Sequence, residues 1–332
     1  MTEPVKLNAS FFNLPKTSNA FINRFDLELH WRYSFPPPTI TPKLILFWIH
    51  GFGGHVNGPV VKMCMDILTK HGCIIILIDL QGHGYSEGVR GLVYKHEDMI
   101  NDIEDFIGHV RSWEKFSCSY CLKSDLSQHQ MIQLQMLPYF IQGQSMGGGV
   151  ATFLSLRLQQ DDKYKGMILI APSLLCKTPH PIIVWWAKLV MKFGCCYLEA
   201  EMPSWSTSVS DLTLSFKHQS TIDYVMLDKW GNEGGIGGGQ SLKWATALMF
   251  LRMFEDSVSV LSSISSPFLI LHDPDDKVCF ISGSRSLMQL SVTPPEKKEL
   301  KELPGYLHSL LYNYPEEVCE IVLEWMLKTL AV

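Results

Sequence analysis

Ser145 stands in YFIQGQSMGGGVATF, between a β-prone apolar run and a helix-prone one. The spacing Gly143-x-Ser145-x-Gly147 fits G-x-S-x-G. In that motif a strand turns sharply into a helix, the small residues let the backbone pass close by, and the serine hydroxyl is lifted out of the sheet. A hydroxyl is a weak nucleophile until a neighbouring base takes its proton, and that base needs a third group to fix its tautomer. The chemistry to look for is therefore attack on an acyl carbonyl, with an acid and then a histidine following the serine in chain order. His308, in LPGYLHSLL, lies after the last expected strand and before the last expected helix. LILHDPDDKVC offers Asp273, Asp275 and Asp276 at the C-terminal end of a strand, where open α/β sheets collect their chemistry. The residues alone do not separate the three.

An acyl-transfer site also needs backbone N–H donors aimed at the developing oxyanion, one of them from the residue after the nucleophile. That residue is Met146. The second donor is expected from FWIHGFGGH, where Gly51, Gly53 and Gly54 allow a tight bend that presents the N–H of Phe52, with His50 anchoring the loop. Gly143 and Gly147 support the turn around Ser145. The loop DLQGHGYSEG carries Asp79, His83 and Ser86, all three residue types of a triad, but in too short a span to set them across a cleft. It reads as a rigid turn beside the site.

The elements that must position these groups alternate. Strands are expected over FDLELHWRY (25–33), LILFWIH (44–50), CIIILIDL, YFIQ, KGMILIAP, SPFLILH and KKELKE, with helices over VKMCMDILTKHG, HEDMINDIEDFIGHVRSW, VATFLSLRLQQ and PEEVCEIVLEWMLKTL. Strand, helix and short loop in rotation indicate βαβ units: an α/β chain with a mostly parallel central sheet flanked by helices. From about 173 to 252 the rotation fails in a Trp-, Met- and Pro-rich stretch, which reads as an insertion late in the chain. The expected division is an N-terminal extension over 1–24, core over 25–172, the insertion over 173–252 and core again over 253–332. Residues 115–137 read as a long polar loop.

The chain has 332 residues, 46% of them apolar and 18% charged, with a net charge of −5. That is enough to bury a sizeable core, and it leaves no general basic field, which argues against nucleic acid as a partner. Nine cysteines at irregular spacing, with no apolar leader at the start, fit reduced thiols and a cytoplasmic protein. Cys118 and Cys121 form an isolated C-x-x-C without a second ligand pair and read as structural.

Taken together, HGFGGH, DLQGHGYSEGVRG, GQSMGGG, KGMILIAP and GYLHSLL resemble the monoacylglycerol lipase and lysophospholipase family of α/β-hydrolases. This serine-hydrolase group also includes plant caffeoylshikimate esterase and is serine aminopeptidase S33-like. The resemblance runs from about residue 25 to the C-terminus. It implies Ser145 as nucleophile and His308 as base, and it selects Asp276 as the acid, with Asp275 second, because the family's H-G-x-x-D-K/R-V loop matches His272 through Val278. Three features depart from the family pattern: Gln144, where His or Glu is more usual; Asp273, in the place of a glycine; and the length of the 115–137 loop.

The resemblance further implies the α/β-hydrolase fold, with the 173–252 insertion as a helical cap that roofs an apolar acyl tunnel, and a lipid ester as substrate. No metal or organic cofactor is called for. PIIVWWAKLVMKFG (181–194) is too short to span a bilayer, but its tryptophans and lysines suit contact with a membrane surface near Trp185 and Trp186. The glycines of WGNEGGIGGGQ suggest a loop within the cap. Lysophospholipase, thioesterase and hydroxycinnamate esterase activities share the same machinery. A non-catalytic hydrolase-fold binding protein is the rival of another class.

Overall fold

Strands β3 (Leu44–Ile49) and β4 (Cys73–Ile78) are buried along their whole length and run parallel in the middle of a nine-stranded sheet. Their residues alternate between two cores. Ile45, Phe47, Ile49, Ile74, Ile76 and Ile78 enter one, while Leu44, Leu46, Trp48, Cys73, Ile75 and Leu77 enter the other. A strand buried on both faces reads as a continuous apolar run rather than an alternating one, and that is how LILFWI and CIIILI appear in the sequence. The structure, a computed structural model, describes residues 3–4, 16–112, 122–123, 125–175, 198–202, 211–228 and 242–331.

The remaining strands are β1 (Ala20–Ile22), β2 (Glu28–Ser34), β5 (Leu122–Lys123), β6 (Tyr139–Gln144), β7 (Tyr164–Ile170), β8 (Phe268–His272) and β9 (Lys298–Glu302). They lie in the order β5-β1-β2-β4-β3-β6-β7-β8-β9. From β4 to β9 every pairing is parallel, and β5, β1 and β2 complete the other edge antiparallel. Described helices cover both faces. On one side lie α2 (His96–Arg111), α4 (Met146–Leu158) and α6 (Trp244–Leu261); on the other lie α1 (Pro59–Thr69) and α9 (Pro315–Leu330). This is the α/β-hydrolase arrangement expected from the sequence.

Three expectations need correction. Residues 115–137 are not all loop, since Gln128–Met136 form helix α3, opened by a capping box in which Ser127 and Gln130 satisfy each other's backbone N–H. Leu134 is its one buried residue, so it carries no apolar stripe for a periodicity argument to detect. Ala20–Ile22, placed with the N-terminal extension, pair with β2 and belong to the sheet. The cap boundary at 252 falls inside α6, a single helix that begins in the cap region and ends at Leu261 against the core.

Helices α5 (Gln219–Leu227), α7 (Ile281–Leu290) and α8 (Leu310–Asn313) complete the described set. The segment 181–194 with Trp185 and Trp186, the glycine-rich segment 230–240, and Cys118 and Cys121 lie outside the described residues. Among the described residues, Cys64, Cys73, Cys279 and Cys319 are free thiols, and no helix is long and apolar enough to cross a membrane.

Candidate active site

The turn from β6 into α4 puts Ser145 at φ 51°, ψ −118°, outside the conformations that a side chain ordinarily allows. Two neighbours hold it there. The Ser145 N–H donates to Ile170 O at 2.9 Å, and the Ser173 N–H donates to Ser145 O at the same distance, so the elbow is pinned to the end of β7. The small residues expected around it are sterically required. A methyl on Gly143 would collide with the carbonyl of Gly147, and one on Gly147 would collide with the carbonyls of Ile49 and His50. Ser145 is left half-buried at the C-terminal edge of the sheet.

His308 arrives on the loop after β9, preceded by Leu307 at φ 58°. Its Nε2 lies 2.9 Å from Ser145 Oγ and its Nδ1 lies 2.7 Å from Asp276 Oδ2. Because a carboxylate only accepts, Nδ1 carries the proton and Nε2 faces the serine hydroxyl with a free lone pair. Asp276 takes three further contacts. Val278 N and Cys279 N donate to its Oδ1 at 2.7 and 3.1 Å, and His272 Nε2 stands 3.3 Å from its Oδ2. Burial opposes ionisation, but the charge of His308 and the hydrogen bonds from His272 and His308 outweigh it, holding this carboxyl well below the usual carboxylate range. A series 2.7 and 2.9 Å long thus runs from a fixed anion through an imidazole to a hydroxyl.

The three aspartates are now distinct. Asp275 is exposed, with Lys277 as a loose partner at 3.9 Å. Asp273 is fully buried but turned to the backbone, accepting from Leu307 N at 2.6 Å and Asp275 N at 2.8 Å. Asp276 alone faces His308.

Across the elbow, the loop after β3 comes close. A methyl on Gly51 would lie 3.1 Å from both Ser145 Cβ and Gln144 O, an approach that puts the 51–52 backbone against the nucleophile. Met146 opens α4, so its N–H has no carbonyl one turn back within the helix, and the positive end of the helix dipole lies there too. His50 anchors the loop as expected: its Nδ1–H donates to Gly51 O at 2.7 Å, and its Nε2 accepts from Leu80 N at 3.0 Å. Burial pushes the His50 imidazole below its ordinary value, more than Asp79 restores.

The DLQGHGYSEG loop is the rigid support it was read as. Asp79 accepts from Val56 N at 2.8 Å and Tyr85 N at 3.0 Å and pairs with His30 Nδ1 at 2.9 Å, while Ser86 Oγ donates to Asp79 O. The His83 ring lies tilted against His50 and edge-on to Phe52, with centroids 5.1 and 5.7 Å apart. Sequence reasoning missed His30, which is 49 residues from its partner, and also missed Cys279, whose Sγ is 3.9 Å from Ser145 Oγ. It missed the pairing of His55 Nε2 with Asp228 Oδ2 at 2.7 Å, which ties the end of α5 to the loop carrying Phe52. Motif spacing carries no signal for pairs so far apart.

The arrangement is chemically suited to acyl transfer. Rat (Rattus norvegicus) monoglyceride lipase is 24% identical over 328 residues, covering 98% of this chain and 94% of the relative. Among solved structures, the monoacylglycerol lipase of Paleococcus ferrophilus superposes with a TM-score of 0.67 at 19% identity, covering 91% of this chain and 99% of its own. A soluble variant of monoglyceride lipase from Saccharomyces cerevisiae in complex with a substrate analog gives 0.67 at 17%, covering 99% and 96%. These likenesses establish the α/β-hydrolase fold. The family described as serine aminopeptidase, S33 matches residues 40–315, from before β3 to the start of α9, and the chain belongs to that family.

Proposed function

We propose that this protein is a serine hydrolase of lipid carboxylic esters, cleaving a monoacylglycerol to fatty acid and glycerol through an acyl-enzyme. One observation carries the proposal: the unbroken hydrogen-bond series from Asp276 through His308 to Ser145. The substrate class is drawn from the relatives, which are named monoglyceride lipases at nearly full coverage.

Ser145 Oγ attacks the ester carbonyl as His308 Nε2 takes its proton, and Asp276 stabilises the imidazolium that forms. The N–H groups of Phe52 and Met146 receive the oxyanion, acting where charge develops and without reorganising. As the C–O bond breaks, His308 returns the proton to the leaving glycerol oxygen. Water, deprotonated by the same nitrogen, then attacks the acyl carbon; the fatty acid leaves and Ser145 regains its hydrogen. Every proton passes through His308 Nε2, so the chain's own residues complete the cycle.

The region 173–252 serves as the cap in this reading. Its described parts touch the site through Ser173, whose N–H donates to Ser145 O at 2.9 Å, through Phe250 against Phe52 at 6.0 Å and through Asp228 on His55. Peripheral contact with a cytoplasmic membrane surface near Trp185 and Trp186 belongs to the same proposal, because a lipid ester substrate partitions into membranes.

The test is fatty-acid release from esters that share one acyl chain but carry glycerol, glycerophosphocholine or a hydroxycinnamate-type group, with Ser145→Ala as control. Fastest turnover of the glycerol ester, absent in the variant, is the expected result. Preference for the charged or aromatic ester overturns the substrate assignment, and full activity in folded Ser145→Ala overturns the mechanism.

A further inference from the structure

We infer that Asp273 is a positioning residue for the reaction, a buried carboxylate that clamps the loop carrying the acid to the loop carrying the base. The inference rests on the hydrolase reading above and goes beyond it, because Asp273 touches none of the reacting atoms.

The two loops leave neighbouring parallel strands, β8 and β9, whose ends are paired at His272 and Glu302. Each loop then has to bring one side chain to a fixed point with little regular structure to hold it. Asp273 is the first residue beyond β8 and is completely buried. Its Oδ1 accepts from Asp275 N at 2.8 Å and its carbonyl accepts from Asp276 N at 3.1 Å, closing the turn that presents Asp276. Its Oδ2 reaches across to the other loop and accepts from Leu307 N at 2.6 Å.

Leu307 is where that contact matters. It adopts φ 58°, in the left-handed region, where a leucine is uncommon and strained, and it directly precedes His308. A strained conformer persists only when its surroundings over-determine it. The His308 N–H contributes little, since its own acceptor, Leu214 O, is 3.5 Å away. The short charge-assisted bond from Leu307 N to a buried carboxylate is therefore the strongest restraint on this pivot. Without it, Leu307 has an escape to negative φ, and that rotation carries the imbedded imidazole out of line between Asp276 and Ser145. A displacement of about 1 Å in a catalytic group costs on the order of 100-fold in rate.

The experiment compares wild type with Asp273→Gly, which removes both acceptors, and Asp273→Asn, which keeps the volume and one good acceptor. The assays are hydrolysis of a soluble short-chain p-nitrophenyl ester and the rate of covalent labelling by a fluorophosphonate. Expected for Asp273→Gly is a fall in kcat of roughly 10- to 100-fold with KM changed less than about twofold, and a parallel fall in labelling rate. Asp273→Asn is expected to fall between it and wild type. Because the residue acts through His308, the same substitution made in a His308→Ala background is expected to leave the residual labelling rate unchanged, the coupling of a shared function.

Wild-type kcat in a folded Asp273→Gly or Asp273→Asn protein overturns the inference, and so does a loss that persists undiminished without His308. If Asp273→Gly does not fold, Asp273→Asn decides alone. Failure of the hydrolase reading looks different: wild type itself then neither turns over ester nor takes up the probe.

Discussion

The Nε2 of His272 lies 3.3 Å from Oδ2 of Asp276, the same oxygen that His308 Nδ1 reaches at 2.7 Å, so one buried carboxylate sits between two imidazoles. His272 is itself fixed, donating from Nε2 to Cys279 O at 2.9 Å and accepting from Ser284 Oγ at Nδ1, 2.7 Å away. Asp276 is thus held by the last residue of β8, with Val278 N and Cys279 N closing the other oxygen.

From this follows the behaviour of Asp276→Asn. An amide cannot take the His308 Nδ1 proton at both of its atoms, and the wrong tautomer of histidine then faces Ser145. A fall in kcat of about 10⁴-fold is expected, with KM little changed. The carboxyl's low value has a sign as well. A depressed acid stabilises the fold above its ordinary value near 3.8, and that stability is lost only as pH falls through its own lower value. The stability gap between wild type and Asp276→Asn should accordingly hold from neutral pH to about pH 4 in urea titrations. A loss in kcat of less than about 10-fold would show that Asp276 is not the acid.

The neighbouring histidines predict sensitivity to acid. Burial, with His50 beside it, pushes His83 down from 6.5 to about 3, and His50 is lowered too, so both are neutral in the folded protein. An unfolded histidine binds a proton below about pH 6.5, whereas His50 is held below that and His83 binds one only near 3, so stability falls as pH drops through 6.5. The loss centres on the loop that carries Phe52, since His50 bonds Gly51 and His83 meets Phe52 edge-to-face. His83→Phe keeps a ring in that space and removes the titration. Urea midpoints at pH 7 and pH 5 should differ less in this variant than in wild type; equal differences would refute the assignment.

Strain at the nucleophile predicts a trade of activity for stability. Ser145 at φ 51° costs about 1–3 kcal/mol that glycine does not. Ser145→Gly relieves that strain, while the lost 2.9 Å hydrogen bond to His308 and the greater unfolded-state entropy of glycine offset part of it, so a net rise of about 0.5–1 kcal/mol is expected alongside complete loss of turnover. Denaturant midpoints at unchanged m-value measure it. A destabilised Ser145→Gly protein would mean that the elbow is unstrained or that the lost contact outweighs the relief.

How far the sequence reached depends on the range of the physics involved. The strands and helices of the core were legible because each is written in a window of ten or so residues, as a run of β-branched and aliphatic side chains or as a 3.6-residue stripe. Helix α3 escaped for the same reason in reverse, since a helix lying on the surface with one buried leucine has no stripe to read. The serine and the histidine could be named because chain order and a sterically demanding turn restrict them to single positions. The acid could not be named from the residues themselves. Asp273, Asp275 and Asp276 are alike in type and nearly alike in position, and they differ only in what lies opposite: a backbone N–H at Leu307, solvent, and the imidazole of His308.

Pairs such as His30 with Asp79, or His55 with Asp228 173 residues away, leave no local trace. Hydrogen bonds of 2.7–2.9 Å are contacts of shape and direction, and only the packing of one loop against another brings their atoms within range. Composition and periodicity determined by themselves an α/β chain with a serine on a sharp turn. Which carboxylate faces the histidine, and which turns to the backbone N–H of Leu307, was decided where two strand ends met.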